Sequence, residues 1–473
     1  MILVSCRNDS YLYNAYHMVK AFFPEEEVHS SVEEKASHFA TAEFPDGSRL
    51  VLDTEGDREK DKHVLDRQWY RMLAEKAGRT LAWGTLLGVR PTKLAFQKRE
   101  EGFDREEFLS WFRKEYLVSE DKAALAWDIS GRERTLLGQL DLNEGYSLYI
   151  GIPFCPTVCS YCSFSSGAIG DWADRVTDYL DALCRELASI AECSAEKHLN
   201  CIYIGGGTPT SLSARELERL LSFVDEHFDR SRLLEYTVEA GRPDSITREK
   251  LEVMKKHGVT RISVNPQTMQ QKTLDLIGRK HTVEEIEEVF CLAREIGFDN
   301  INMDLIAGLP GEGPAEMQDT LEKVGRLSPD SLTVHSLAIK RAARMGQEEQ
   351  KARMGTDIGE MIRMAEEAAG RMGLTPYYLY RQKNIAGNFE NVGYAKVDKA
   401  GIYNILIMEE KQSILAAGAG ASSKIVLKEP CPMPGSRKKK LTNLIRIENV
   451  KAIDAYIERI DEMIQRKGEW LWH

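Results

Sequence analysis

The sequence predicts an α/β protein built around a partial (β/α)6 barrel of the TIM-like kind, with a small N-terminal α/β unit and a C-terminal α+β extension. Two observations carry that prediction. From Ser147 onward, short apolar runs alternate with amphipathic segments of helical length, and parallel neighbours need such long crossovers. Glycines and polar residues also gather just after the apolar runs, where a barrel of this type places its functional loops.

Taken in order, residues 1–95 read as a small α/β unit. Met1–Cys6 is a short apolar strand, Tyr11–Phe23 has helical spacing, and Ala40–Phe44 and Arg49–Leu52 are strands around the turn at Pro45-Asp46-Gly47. A helix over Lys62–Ala77 completes a split β-α-β arrangement. The stretch 96–146 is a charge-rich helical connector entered through Gly84-Thr-Leu-Leu-Gly-Val-Arg90-Pro-Thr-Lys93. Arg90 and Lys93 are either solvated charges or groups facing the central site. In 147–345, strands are expected at Leu148–Ile152, Cys201–Ile204, Glu235–Glu239, Arg261–Val264, Asn300–Leu305 and Ser331–Leu337. Helices are expected at Asp174–Ala191, Ala214–His227, Arg248–His257, Val283–Ile296 and Pro314–Leu327. Within 346–473, read as a substrate-covering region, Gly401–Met408 and Gln412–Leu415 suggest a hairpin and Ala452–Lys467 a helix. Pro430–Lys440 suggests an exposed loop.

A net charge of −11 argues against general nucleic-acid or membrane-surface binding, which needs a basic face. No apolar run reaches the ~20 residues of a membrane span, and no signal peptide is legible, so a cytoplasmic protein is expected. Six of the nine cysteines are scattered, which is not a disulfide framework.

The other three cysteines fall within Tyr149-Ile-Gly-Ile-Pro-Phe-Cys155-Pro-Thr-Val-Cys159-Ser-Tyr161-Cys162, after the first barrel strand. Three soft thiolates at C-x3-C-x2-C spacing suit an iron–sulfur cubane and leave one of its irons open to a small chelating molecule. Zinc is the rival reading, but structural zinc uses four ligands, and no fourth Cys or His stands nearby. Three unpaired core cysteines are the remaining alternative.

This loop, at the head of a strand–helix series, resembles the radical S-adenosylmethionine (SAM) superfamily. The resemblance implies a [4Fe–4S] cluster on Cys155, Cys159 and Cys162, whose open iron binds SAM and whose reduction generates a radical for hydrogen abstraction. Gly205-Gly-Gly-Thr-Pro-Thr210, Val264-Asn-Pro-Gln267 and Asp304-Leu-Ile-Ala-Gly-Leu-Pro-Gly311 narrow the likeness to the oxygen-independent coproporphyrinogen III oxidase-like group. By position, that group's SAM contacts fall on Tyr149, Tyr161, Gly206, Gly207, Thr208, Glu239, Gln267, Arg279 and Asp304. The N-terminal unit, the Trp83–Lys93 junction and the Tyr380-Arg-Gln-Lys-Asn segment resemble HemZ-type coproporphyrinogen dehydrogenases. The implied activity is oxidative decarboxylation of coproporphyrinogen III to protoporphyrinogen IX, with a reductase, flavodoxin or ferredoxin as electron donor. Arg242, Arg381 and Lys383 are candidate partners for the substrate's propionates. Two departures keep alternatives open, namely another tetrapyrrole-modifying enzyme or a heme-binding chaperone of the group. Cys162-Ser-Phe164 lacks the oxidases' final cysteine, and Lys383 stands where the chaperones carry a histidine.

Overall fold

The computed structural model describes residues 1–53, 61–88, 90–162, 166–337, 357–381, 389–433 and 441–472. Lys383, Phe164 and the 434–440 part of the expected Pro430–Lys440 loop lie outside them.

The N-terminal sheet has the order β2-β1-β3-β4, from β1 (Ile2–Cys6), β2 (Val28–Val32), β3 (Ala40–Glu43) and β4 (Arg49–Leu52). Helix α1 (Asp9–Phe22) makes β1 and β2 parallel neighbours, and α2 (Lys62–Ala77) packs beside α1. Ile2, Val4, Met18, Trp69 and Leu73 form a core there. Strand β2 carries no sequence signal because Val-His-Ser-Ser-Val is an edge strand with no buried side chain.

The connector consists of α3 (Thr92–Glu100), α4 (Arg105–Tyr116) and α5 (Glu120–Leu137). Arg90 turns toward the C-terminal part, pairing with Glu410 at 2.8 Å and donating to the Met408 carbonyl, while Lys93 is exposed. Neither lines the central cavity described below.

Among the described residues, the large sheet holds eleven strands. Its centre is a parallel array in spatial order: β5 (Gly145–Ile152), β8 (His198–Gly206), β9 (Glu235–Glu239), β10 (Arg261–Ser263), β11 (Ile301–Ala307) and β12 (Ser331–Ser336). Two-residue strands β6 (Phe154–Cys155) and β7 (Gly167–Ala168) pair separately. Crossovers run through α6 (Val176–Cys193), α7 (Ala214–His227), α8 (Arg248–Lys256), α9 (Gln271–Leu276), α10 (Val283–Ile296) and α11 (Pro314–Leu327). Capping boxes at Ser213/Glu216 and Thr282/Glu285 start α7 and α10 where the sequence places them. Strands covered on both faces read as near-continuous apolar runs, which is why all six are legible. Ile150, Ile204, Val238, Ile262, Leu305 and Leu332 are buried against Leu183, Leu220, Phe290 and Leu321 of the helices.

Both edges of this array are extended by C-terminal strands. Beyond β12 lie β14 (Asn391–Ala395) and β13 (Thr375–Tyr380), both in antiparallel pairings. Beside β5 runs β15 (Ser413–Ala417), parallel to it, followed by antiparallel β16 (Ser422–Pro432) and β17 (Leu441–Glu448).

The expected hairpin is therefore wrong: Ile402–Glu409 is a helix, and β15 pairs with β5. That run is apolar all round, so periodicity cannot separate helix from strand. The helix expected over Ala452–Lys467 is two helices, Ile453–Glu458 and Ile460–Gly468, parted at Arg459.

A buried polar cage holds this tail against β5. Glu186 of α6 accepts from Lys467, Asn449, Tyr456 and the Gly418 N–H, while the Tyr179 hydroxyl donates to the Gly151 carbonyl at 2.6 Å. Among the described residues, no helix is long and apolar enough to cross a membrane.

Candidate active site

Three of the nine cysteines lie on the loop after β5. This loop is stitched on two sides. Gly207 N–H donates to the Ile152 carbonyl at 2.7 Å, and Thr208 N–H to the Phe154 carbonyl at 2.7 Å, so the loop after β8 zips onto it. On the other side the Ser160 N–H donates to the Ile277 carbonyl at 3.1 Å. The Thr208 hydroxyl lies 3.5 Å from the Cys155 sulfur, and burial pushes that thiol's pKa up.

Cys155, Cys159 and Cys162 open into a cavity of about 380 Å³ at the C-terminal ends of the parallel strands. Tyr161, Gly206, Gly207, Thr208, Glu239, Gln267, Arg279 and Asp304 also line it. Eleven of the twelve residues expected to hold the cluster and SAM are thus brought together. Tyr149 is the exception, standing beside the lining residue Gly206 rather than in the lining itself. Its ring stacks 6.2 Å from both Tyr203 and Tyr403, with its hydroxyl against Gly206, because its β5 position points it into this aromatic group.

Each lining group has a structural reason for its place. Gly206 has φ +113°, a left-handed conformation that favours glycine. Gln267 holds φ +68° without being glycine, fixed by its N–H to the Asp304 carbonyl and its carbonyl to the Ile306 N–H, each 2.9 Å. Strain of this kind persists where the surroundings over-determine it, commonly at functional sites.

Glu239 ends β9 and accepts from the Tyr203 hydroxyl. Burial pushes its pKa up to about 7 against that hydrogen bond, and the nearby Asp304 charge adds to the rise. Burial would also raise Asp304, yet His335 and Asn302 outweigh it and hold its carboxyl below the ordinary value. Asn302 donates to Asp304 at 2.7 Å, and the His335 Nε2 stands 3.8 Å from it. His335 also contacts the Tyr380 hydroxyl at 3.1 Å.

Of the two described arginines expected to face substrate, Arg242 lines the cavity and Arg381 does not. Arg242 is 3% exposed and grips Asp244 and the cysteine loop. Arg381 is 4% exposed and donates to the Leu86 carbonyl at 2.7 Å, over the Trp83 ring; burial lowers its pKa to about 10. Buried guanidiniums hold carbonyls and carboxylates because an unpaired buried charge is costly.

Sequence reading missed Arg261, Ser263, Asn265 and His335, all of which line the cavity. The available signal was polar residues inside a strand pattern, Arg-Ile-Ser-Val-Asn, which an apolar sheet does not otherwise tolerate.

The comparisons with known proteins agree with this geometry. The family model of the Radical SAM superfamily matches residues 149–324. The oxygen-independent coproporphyrinogen-III oxidase-like protein HemZ of Bacillus subtilis (strain 168) is 41% identical over 416 residues, covering 87% of this chain and 81% of that protein. The chain belongs to the radical SAM superfamily, within this oxidase-like family. The heme chaperone HemW of B. subtilis is 38% identical over 195 residues, 41% of this chain and 51% of that protein. The solved structure of coproporphyrinogen III oxidase (HemN) from Escherichia coli shares the fold at a TM-score of 0.55 and 22% identity, over 70% of this chain and 72% of that one.

Radical SAM membership carries a [4Fe–4S] cluster and SAM as cofactors. The residues present fit both. Cys155, Cys159 and Cys162 all open into the same cavity, and a cubane takes its thiolate ligands on separate metal corners. A Cβ on Gly207 would stand 3.0 Å from the Cys155 sulfur, so the bare glycine leaves that thiol's surroundings open. Five buried polar atoms on cavity-lining residues have no hydrogen-bond partner among the described residues: Ser166 Oγ, Arg261 Nε, Ser263 Oγ, Asn265 Oδ1 and Arg279 Nε. A polar ligand would satisfy them.

Proposed function

We propose that this radical SAM protein carries out oxygen-independent oxidative decarboxylation of coproporphyrinogen III to protoporphyrinogen IX. Cys155, Cys159 and Cys162 hold the cluster. Gly206, Gly207 and Thr208 receive the amino end of SAM, Arg279 its carboxylate, and Glu239 with Gln267 and Asp304 its hydroxyls; Tyr161 closes the side beside the cysteine loop. When bound, these cofactors supply one-electron hydrogen abstraction. The chain's own residues orient and shield them: the Tyr203–Glu239 pair and the Asn302–Asp304–His335–Tyr380 series line the cavity with fixed polar groups, and Arg279 offers a buried positive charge.

The observation that supports the substrate is likeness along nearly the whole chain to a coproporphyrinogen-III oxidase-like protein, beyond the barrel shared with heme chaperones. An external reductase, flavodoxin or ferredoxin supplies electrons, and the protein works in the cytoplasm.

The test is an anaerobic assay of reconstituted protein with SAM, dithionite or reduced flavodoxin, and coproporphyrinogen III. Release of CO2 and 5′-deoxyadenosine with a vinyl-bearing product is expected. Release of 5′-deoxyadenosine with no vinyl product would overturn the substrate. Stable heme binding without SAM turnover would favour the chaperone reading.

A further inference from the structure

Arg242, immediately after β9, makes five hydrogen bonds on two fronts while 3% exposed. Its Nε and Nη2 form a fork on Asp244, at 2.9 and 2.6 Å. Its Nη1 donates to the Thr157 carbonyl at 3.1 Å, the Thr157 hydroxyl at 3.0 Å and the Cys159 sulfur at 3.7 Å. Thr157 lies between Cys155 and Cys159, so one planar guanidinium spans the cysteine loop and is itself locked from behind by a carboxylate.

We infer that Arg242 is a positioning residue that clamps the cysteine loop and raises the electron affinity of the cluster bound there, with Asp244 as its brace. This rests on Cys159 being a cluster ligand. A brace needed only for folding would be satisfied by Asp244 and the Thr157 carbonyl; the third direction of the fork is spent on the sulfur. Hydrogen bonds to cluster sulfurs and local charge tune reduction potential. A fixed positive group favours the state that has gained an electron. Lysine cannot reproduce the clamp, because an ammonium is a point charge without the planar fork.

The experiment is an anaerobic redox titration followed by EPR on reconstituted wild type, R242Q, R242K and D244N, with iron and sulfide content measured in parallel. R242Q is expected to shift to a more negative midpoint, with the reduced-to-oxidised ratio at fixed potential falling about tenfold, which equals about 59 mV for one electron. R242K should recover part of that shift but retain less iron than wild type. D244N, which keeps the guanidinium and loosens its anchor, should broaden the EPR signal and lower iron retention. If R242Q fails to fold, a D244N protein with wild-type midpoint, line shape and iron content would overturn the inference. So would a folded R242Q with the wild-type midpoint. A wild-type chain that takes up no iron would instead sink the underlying cluster assignment.

Discussion

Gly207 sits so close to the cysteine loop that a Cβ on it would stand 3.0 Å from the Cys155 sulfur and 2.5 Å from the Phe154 carbonyl oxygen. The carbonyl is backbone and is already engaged by the Thr208 N–H, so it cannot step aside cheaply. Gly207→Ala is therefore expected to displace the loop, at about 1–3 kcal/mol of overpacking. Iron retained after anaerobic reconstitution should fall several-fold while circular dichroism stays native. Full iron retention would contradict the contact's importance.

Gln267 separates stability from binding. Replacing it with glycine removes the cost of a left-handed side-chain-bearing residue, about 1 kcal/mol. The same change deletes an amide that lines the cavity. Gln267→Gly should melt at or above the wild-type temperature yet bind SAM about tenfold more weakly, the equivalent of one net hydrogen bond. Calorimetric titration of SAM beside a thermal melt checks both.

Glu239 gives the ligand-free protein a pH signature. Its carboxyl keeps a proton up to about pH 7 when folded, against an ordinary value of 4.5. Between those values the folded state binds more protons than the unfolded one, so this group's contribution to stability falls as pH rises through the window. Glu239→Gln removes that term. From pH 5 to 7.5 the variant is expected to lose less stability than wild type in urea unfolding; equal losses would contradict the assignment.

The Lys467–Glu186 pair is 2% and 0% exposed and fastens the C-terminal helices under the Gly418 turn. Lys467→Met leaves a buried carboxylate without its cation, at a cost of about 3–5 kcal/mol. The double variant E186Q/K467M should recover much of this. Urea midpoints for the single and double variants measure the coupling.

Legibility in the sequence followed burial. The six parallel strands were visible because buried strands read as apolar runs bounded by polar loops, and Gly205–Thr210, Glu239 and Asp304 fall at their ends. Strand β13 is illegible because Thr375–Tyr380 is tyrosine-rich and half-buried without clean alternation, and β14, though wholly buried, because Asn391-Val-Gly-Tyr-Ala395 is short and carries Asn and Gly. The helix Ile402–Glu409 was mistaken for a strand because tertiary packing, rather than pattern, decides a run that is apolar on every side. At the site, residue identity showed which groups could take part but not their partners. Arg242 is visible as a cation, while its hold on Thr157 and Cys159 depends on loops 83–85 residues apart meeting in space. The left-handed backbone of Gln267 had no sequence signal, since glutamine does not announce that conformation.

Anaerobic reconstitution with iron and sulfide, followed by EPR of the reduced protein before and after SAM is added, tests the central assignment most directly. A [4Fe–4S] signal that SAM perturbs, and that vanishes in the C155A/C159A/C162A variant, is the expected result. Undiminished iron content in that triple variant, or a cluster signal indifferent to SAM, would contradict it.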